Sequence, residues 1–401
     1  MPSKSENLRK VVLLHPGTQY SFDLAIELHR KNLLDKYITS FSVSSNSILY
    51  RLFKERLNSR LLREVPAGIV RNYPMLEAKT FIKSWINGGD TEDILYKRNL
   101  EFQKTVIRND LKDANIVIGF DTSSWKIADF CKATGKKFIL DVSIGHPVVK
   151  EQIFKVIRAQ FAEWNDISNP KKNDHIELEV QEFELADLIV VPSHFVSRTL
   201  ISQGVDEKKI RINPFGTDLN AWSKAARKNG KDKVTFLFFG SLTARKGLPL
   251  LLAAWDLLNP SDAKLIIAGY GQIPETVNLK SSVHVLGPIQ ANGRLALFEM
   301  ADVFVFPSYF EGLAQVQIEA AASGLPVIGT SNSGAEELVK NGESGFIIEP
   351  GHLGQLVAAM KYFIENPDHI RSMSRRIRER SDFFSWNAYG DRWHSILNEA
   401  L

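Results

Sequence analysis

The sequence predicts an α/β chain of two doubly wound, Rossmann-like domains, and three observations carry that prediction. Short apolar, β-rich runs alternate with helical patterns along most of the chain, the rhythm breaks near residues 223–233, and glycines, cations and carboxylates fall directly after the apolar runs. At 401 residues the chain exceeds what one hydrophobic core usually serves, so about two domains are expected.

Taken in order, the first half reads "VVLL" then "FDLAIELHRKN", "NIVIGF" then "WKIADFCKATG", "KFILDV", and "ADLIVVPS" then "FVSRTLISQG". Continuous rather than alternating apolar runs describe strands covered on both faces, and the helical patterns between them supply the cover. The rhythm stops at "RINPFGTDLNAW" and the polar "SKAARKNGKDK", then restarts with "VTFLFFG", "KLIIAG", "VHVLG", "DVFVFPS", "PVIGT" and "GFIIEP". A second parallel sheet wrapped by helices is expected. Residues 1–220 then form the first domain, 221–380 the second, and 381–401 a terminal helical segment. No fixed period repeats, which argues against a solenoid or propeller.

Composition narrows the function classes. A net charge of +4 on this length is far from the basic patterning of a nucleic-acid binder. The opening "MPSKSENLRK" is followed by four apolar residues, Val11 to Leu14, which is too few for a signal-peptide core, and no later run approaches a membrane span. The single cysteine, Cys131, is spaced with Ile127 and Ala128 as on a buried helix face and fits a reducing compartment. A cytoplasmic location follows as the expectation.

Open α/β sheets bind ligands outside the carboxyl ends of their strands, so the loops there should carry the chemistry. In order they are "HPGTQYS" with Gly17, "SIGHP", "SLTARKG" beginning after Gly240, "YGQ" and "YFEGLAQVQIE". Arg245 offers a planar donor fork and Lys246 a point charge, which together suit a diphosphate. Alone, "RKG" reads more readily as the solvated start of a helix; its place after a strand end argues for phosphate. "AQVQIEAAAS" reads as a helix ended by Gly324 and Pro326, leaving N–H groups near Leu313 to Val316 without intrahelical acceptors, an arrangement that attracts anions. Glu319, inside that helix, can accept from vicinal hydroxyls such as those of a ribose, and Glu311 stays free for another hydroxyl-bearing group. As isolated residues, the two glutamates read as well as a helix-dipole partner and a solvated helix position.

Together, "GSLTARKG", "IIAGYG", "FPSYFEGLAQVQIEAAASGLPVIGT" and "GAEEL" resemble the donor half of retaining glycosyltransferases of family 4. These have the GT-B fold, two Rossmann-like domains facing each other across a cleft, and the seven-residue glutamate spacing is their signature. The resemblance extends upstream through "EFELADLIVVPSHFVSRTLISQGVDEKKIRINPFGTDLNAW". It implies a nucleotide diphosphate sugar as co-substrate and a glycan or lipid-linked acceptor, in surface polysaccharide or glycolipid synthesis. By the same resemblance Glu311 contacts the donor sugar, Glu319 holds the ribose, and Arg245 and Lys246 neutralise the diphosphate. The loops at Gly17 and Gly240 approach the diphosphate, those at Gly269 and from Gly287 to Ile289 frame the base, and Gly312, Leu313, Ala314 and Val316 form the mouth of the helix. Retention implies front-face substitution, with Arg245 and Lys246 stabilising the leaving group. No cofactor or metal is implied, since side chains supply the cations and no Asp-x-Asp motif is evident.

His146, after "KFILDV", corresponds to a histidine that faces the donor sugar in family members, and joins Glu311, Arg245 and Lys246 in the expected catalytic set. Before a proline it is otherwise a structural residue. Asp121 is an acceptor-side candidate; capping a helix at residues 123–134 is the alternative. Two departures stand out: only Gly17 where the family commonly has a glycine pair, and Ser333 where glycine is common. A non-catalytic scaffold of the same fold, or a nucleotide-sugar epimerase or hydrolase, are the competing classes. The intact Arg245, Lys246, Glu311 and Glu319 argue against them.

On the acceptor side, residues 48–63 gather Leu49, Leu52, Phe53, Leu57 and Leu61 at helical spacing, with Arg51, Lys54, Arg56, Arg60 and Arg63 between. That pattern suits either an anionic membrane surface, with the protein peripheral to it, or a helix packing its leucines on the first sheet. The aromatic "DFFSWNAYGDRWHSILNEAL" resembles the family's last helix, which returns to the first domain.

Overall fold

The computed structural model describes residues 11–79, 91–164, 170–224 and 233–400. In its first part, β1 (Val11–His15), α1 (Ser21–Arg30), β2 (Leu34–Thr39), β3 (Val70–Asn72), α2 (Thr91–Asn109), β4 (Ile116–Phe120), α3 (Trp125–Ala133), β5 (Lys137–Asp141), α4 (Pro147–Gln160), α5 (Asn173–Leu185), β6 (Leu188–Val191), α6 (His194–Ile201) and β7 (Ile210–Ile212) follow in order. The strands form a parallel sheet in the order β3-β2-β1-β4-β5-β6-β7. Every residue of β1 and β4 is buried, as continuous apolar runs require of strands covered on both faces.

The second part runs β8 (Val234–Phe239), α7 (Leu248–Leu258), β9 (Ala263–Ala268), β10 (Val283–Gly287), β11 (Val303–Phe306), α8 (Gln315–Ala322), β12 (Val327–Thr330), β13 (Gly345–Ile348), α9 (Leu353–Glu365), α10 (Pro367–Glu379) and α11 (Trp386–Ala400). Its sheet is also parallel, ordered β10-β9-β8-β11-β12-β13. Strand order therefore reverses between β1 and β4 in the first sheet and between β8 and β11 in the second. At such a point neighbouring loops diverge and open a crevice.

Two sets of contacts fix the crevices relative to each other. Around α6, the Ser193 hydroxyl donates to the Gly312 carbonyl at 2.6 Å, the His194 N–H donates to Glu337 at 2.7 Å, and Arg198 pairs with Glu336. Helix α11 lies against α1, with Lys31 paired to Asp391 and Arg392 donating to Asn213 and to the Pro214 carbonyl. Trp393 and Tyr389 of α11 are fully buried.

Residues 48–63 are not one helix. They break into Ile48–Leu52, Lys54–Leu57 and a 3₁₀ turn, Asn58–Arg60. The expected packing of leucines on the first sheet is not what these turns do: Ile48 is 74% exposed, Leu52 69%, Leu49 53% and Phe53 50%. Arg51, Lys54, Arg56 and Arg63 are exposed beside them, whereas Arg60 turns inward to pair with Glu77. Cys131 is buried on α3 as expected, and burial pushes its thiol up to about 12, a structural rather than a reactive setting. Among the described residues no helix is long and apolar enough to cross a membrane.

Candidate functional site

The loops after β8 and β11 flank the reversal in the second sheet, and they bring Arg245, Lys246 and Glu311 together. Both cations pair with the same Glu311 oxygen, Oε1. Arg245 Nη1 also donates to the Phe310 carbonyl at 2.9 Å, and the Tyr309 N–H donates to the Arg245 carbonyl at 2.9 Å, so each loop holds the other. The Lys246 ammonium lies 5.1 Å from the centre of the Phe306 ring. Burial alone would raise the Glu311 carboxyl; Lys246 and Arg245 outweigh it and hold the group below its ordinary value. Close approach of the two loops requires Gly247, whose φ is +77° and whose Cβ, if present, would stand 2.0 Å from the Pro307 carbonyl oxygen.

Helix α8 opens the same crevice. Its N-cap, Ala314, offers no side-chain acceptor, so the first-turn N–H groups keep their capacity for an anion. Leu313 and Ala314 are buried, Val316 is partly buried, and Gln315 donates to the Gly216 carbonyl at 2.8 Å. Glu319 is buried one turn further in. Arg294 Nη1 sits 3.3 Å from its Oε1, while Oε2 has no hydrogen-bond partner among the described residues. Burial pushes this carboxyl up to about 7, with Arg294 pulling the other way. Beside it, the loops after β8, β9 and β10 are bonded in series, Gly240 N–H to the Ala268 carbonyl at 3.0 Å and Gly269 N–H to the Gly287 carbonyl at 2.8 Å; Ile289, partly buried, follows. Arg294, Ser308 and Asn332 had no sequence signal. Ser308 stands 3.4 Å from Glu311 Oε1 and the Asn332 carbonyl accepts from the Glu311 N–H at 2.9 Å. Only the fold places them there.

In the first domain, Gly17 follows β1, its N–H donating to His15 Nδ1 at 3.0 Å. Asp121 follows β4 and is buried; it accepts from the Ser143 N–H at 3.2 Å and the Ser143 hydroxyl at 2.9 Å, and burial raises it to about 6. It does not cap the following helix: Glu182 accepts from the Thr122 N–H at 2.8 Å and the Ser124 N–H at 2.6 Å in the loop before it, and Gln103 accepts from the first-turn Lys126 N–H at 2.7 Å. Asp121 thus anchors the loop leading to His146.

His146 does not join the Arg245–Lys246–Glu311 cluster. It is the N-cap of α4, accepting from the Val148 N–H at 3.3 Å, and its ring lies 5.3 Å from that of Phe183 in its own domain. Burial lowers its pKa to about 4, against the pull of Glu179, so it stays neutral. Pro147 fixes the first turn of α4 and His146 Nδ1 satisfies an otherwise orphaned donor, the structural role that the sequence offered as the alternative.

Residues 221–380 match the family described as Glycosyl transferases group 1. The chain is 26% identical over 306 residues to a Salmonella typhimurium protein named as colanic acid biosynthesis glycosyltransferase WcaL, covering 70% of this chain and 75% of that one. Further curated relatives are matched over about half of their own length. In three dimensions it superposes on sucrose-phosphate synthase from Thermosynechococcus elongatus with a TM-score of 0.68 at 19% identity, covering 98% and 99% of the two chains. On Anabaena HepE in complex with UDP the TM-score is 0.63 at 16% identity, covering 97% and 100%. The chain thus has the GT-B fold, and its second half carries a glycosyl transferases group 1 domain.

Proposed function

We propose that the protein transfers a sugar from a nucleotide diphosphate sugar to a glycan or lipid-linked acceptor of surface polysaccharide or glycolipid synthesis, with retention of configuration and without a metal. The observation that carries this reading is the convergence of Arg245, Lys246 and Glu311 at the β8–β11 reversal beside the open end of α8. WcaL, named for polysaccharide synthesis, and HepE, seen with UDP, support it.

In this reading the diphosphate takes over the donors of Arg245 and Lys246, and Glu311, released from them, accepts from a hydroxyl of the donor sugar. The unpartnered Glu319 Oε2 accepts from the ribose. As the glycosidic bond to phosphate lengthens, negative charge grows on the leaving oxygen, and the two cations, already in place, stabilise it without reorganising. The departing phosphate takes the proton of the incoming hydroxyl on the same face, so no side chain need act as base. The exposed Ile48, Leu49, Leu52 and Phe53 among arginines and Lys54 support docking on an anionic membrane, where a lipid-linked acceptor would reside.

The test is a thermal-shift screen of the purified protein against UDP, GDP, ADP and their sugars, since a ligand at ~100 times its dissociation constant stabilises by about 2.7 kcal/mol. One responding nucleotide, with the response reduced in Arg245→Ala, is expected. Silence from every nucleotide and sugar would return weight to the scaffold.

A further inference from the structure

A second polar cluster stands at the strand reversal of the first domain, unconnected to the donor residues. Arg60, from the 3₁₀ turn Asn58–Arg60, donates through Nη2 to Glu77 Oε1 at 2.5 Å. Arg98, from α2, places Nη1 3.9 Å from Glu77 Oε2, beyond hydrogen-bond distance, and donates through Nε and Nη2 to Asn99 Oδ1 at 3.1 and 2.9 Å. Asn99 in turn donates to the Thr122 carbonyl at 2.8 Å, in the loop after β4. Burial lowers the pKa of His15, at the end of β1, to about 4, and Arg98 and Arg60 push it the same way. The cluster therefore spans the loops after β1 and β4, where the first sheet opens its own crevice.

Its hydrogen-bond inventory is incomplete on both sides. Arg60 Nη1 and Glu77 Oε2 are each buried with no partner among the described residues. A buried unmet donor or acceptor has given up its bond to water and received none in return, so such atoms call for a partner. Two guanidinium groups also share one carboxylate, which leaves an excess positive charge in a place where both arginines are largely covered, at 26% and 14% exposure.

We propose that Arg60 and Arg98 bind an oxyanion, a phosphate or a carboxylate, of the acceptor, and that Glu77 Oε2 accepts from a hydroxyl beside it. The acceptor is then an anionic, hydroxylated molecule, such as a sugar phosphate or a uronic acid. Its assignment as acceptor rests on the glycosyl-transfer reading above; the anion site itself does not. Planar guanidinium forks suit both oxyanions, and the choice between them falls to the test.

The probes are inorganic phosphate and glucuronate, titrated by calorimetry into an Arg245→Ala/Lys246→Ala protein so that the donor cations cannot contribute, with sodium chloride at matched ionic strength as control. Saturable binding of one or both is expected, and the stronger probe identifies the oxyanion. Arg60→Gln and Arg98→Gln, each added to that background, should weaken it roughly tenfold or more, and Arg98→Lys by less, because the charge remains and the fork is lost. Equal binding with and without the two glutamine substitutions, or heats no larger than those of chloride, would overturn the proposal. UDP titrated separately into the otherwise unaltered Arg60→Gln protein should bind as it does to wild type. If UDP binds neither protein while phosphate still binds through Arg60, the donor reading fails and the anion site stands.

Discussion

Substituting Glu311→Gln should separate donor affinity from turnover, with opposite signs. In the free protein one carboxylate oxygen occupies both Arg245 and Lys246, the groups proposed to receive the diphosphate, so the nucleotide must displace an internal anion. At an effective dielectric of about 20, unit charges 4 Å apart attract by about 4 kcal/mol, which sets the scale for each pair. Most of that is returned when the diphosphate replaces the carboxylate, and glutamine keeps part of the hydrogen bonding, so a net gain of about 1 kcal/mol is expected. That corresponds to UDP binding roughly fivefold tighter. Turnover should fall about 10- to 100-fold, because a charge-assisted bond to the donor sugar, worth ~1.5–3 kcal/mol, is lost. Arg245→Ala, in contrast, should weaken UDP by about the same 10- to 100-fold. Calorimetry with UDP and single-turnover assays with the matching sugar nucleotide read both quantities. UDP binding tenfold weaker in Glu311→Gln, with Arg245 intact, would refute the idea that the carboxylate competes with the diphosphate.

Other outcomes follow from the same geometry. Glu319 is raised to about 7 by burial, and ribose hydroxyls would donate to its ionised form, so UDP affinity should fall as pH drops below about 7, approaching tenfold per unit, and Glu319→Gln should flatten the profile. The same raised carboxyl favours the folded state when protonated: its stabilising contribution is present below the ordinary value near 4.5 and is lost as pH rises through about 7. Thermal unfolding of ligand-free wild type and Glu319→Gln between pH 5 and 8 checks this, and parallel profiles would exclude it. A Cβ on Gly312 would stand 1.9 Å from the Ser143 carbonyl oxygen of the first domain, so Gly312→Ala should force the domains apart and cut turnover at least tenfold while UDP binding changes less than threefold; full turnover would contradict that reading of the interface. Leu52→Glu/Phe53→Glu should reduce co-sedimentation with anionic vesicles at least tenfold, while binding to zwitterionic vesicles stays weak throughout. Unchanged sedimentation with anionic vesicles would remove the membrane from the account.

Periodicity made the central strands legible, because a strand covered on both faces must be apolar at successive positions, as "VVLL", "IVIGF" and "VTFLFF" are. It did not reveal β2, whose "LDKYIT" carries two charges, or the three-residue strands β3 and β7 toward and at the sheet edges, where less cover is needed. It also suggested one helix over residues 48–63, where the chain makes three short turns that leave Ile48, Leu49, Leu52 and Phe53 outward. Spacing alone cannot say whether an apolar stripe meets a sheet or solvent.

The sequence by itself determined the two-sheet architecture and the chemistry at strand ends, since both follow from local pattern: burial dictates runs, and ligand-bearing loops follow carboxyl ends. The tertiary structure decided which of those residues meet. Arg245 and Glu311 are 66 positions apart and touch because β8 and β11 are neighbours where the strand order reverses. Arg294 reaches Glu319, and Arg60 and Arg98 converge on Glu77, for the same kind of reason. The same holds for His146, whose Nδ1 the backbone of α4 engages as a cap, a contact that no spacing in the sequence specifies. Partner choice among polar groups depends on distances that chain topology sets, and no local pattern encodes them.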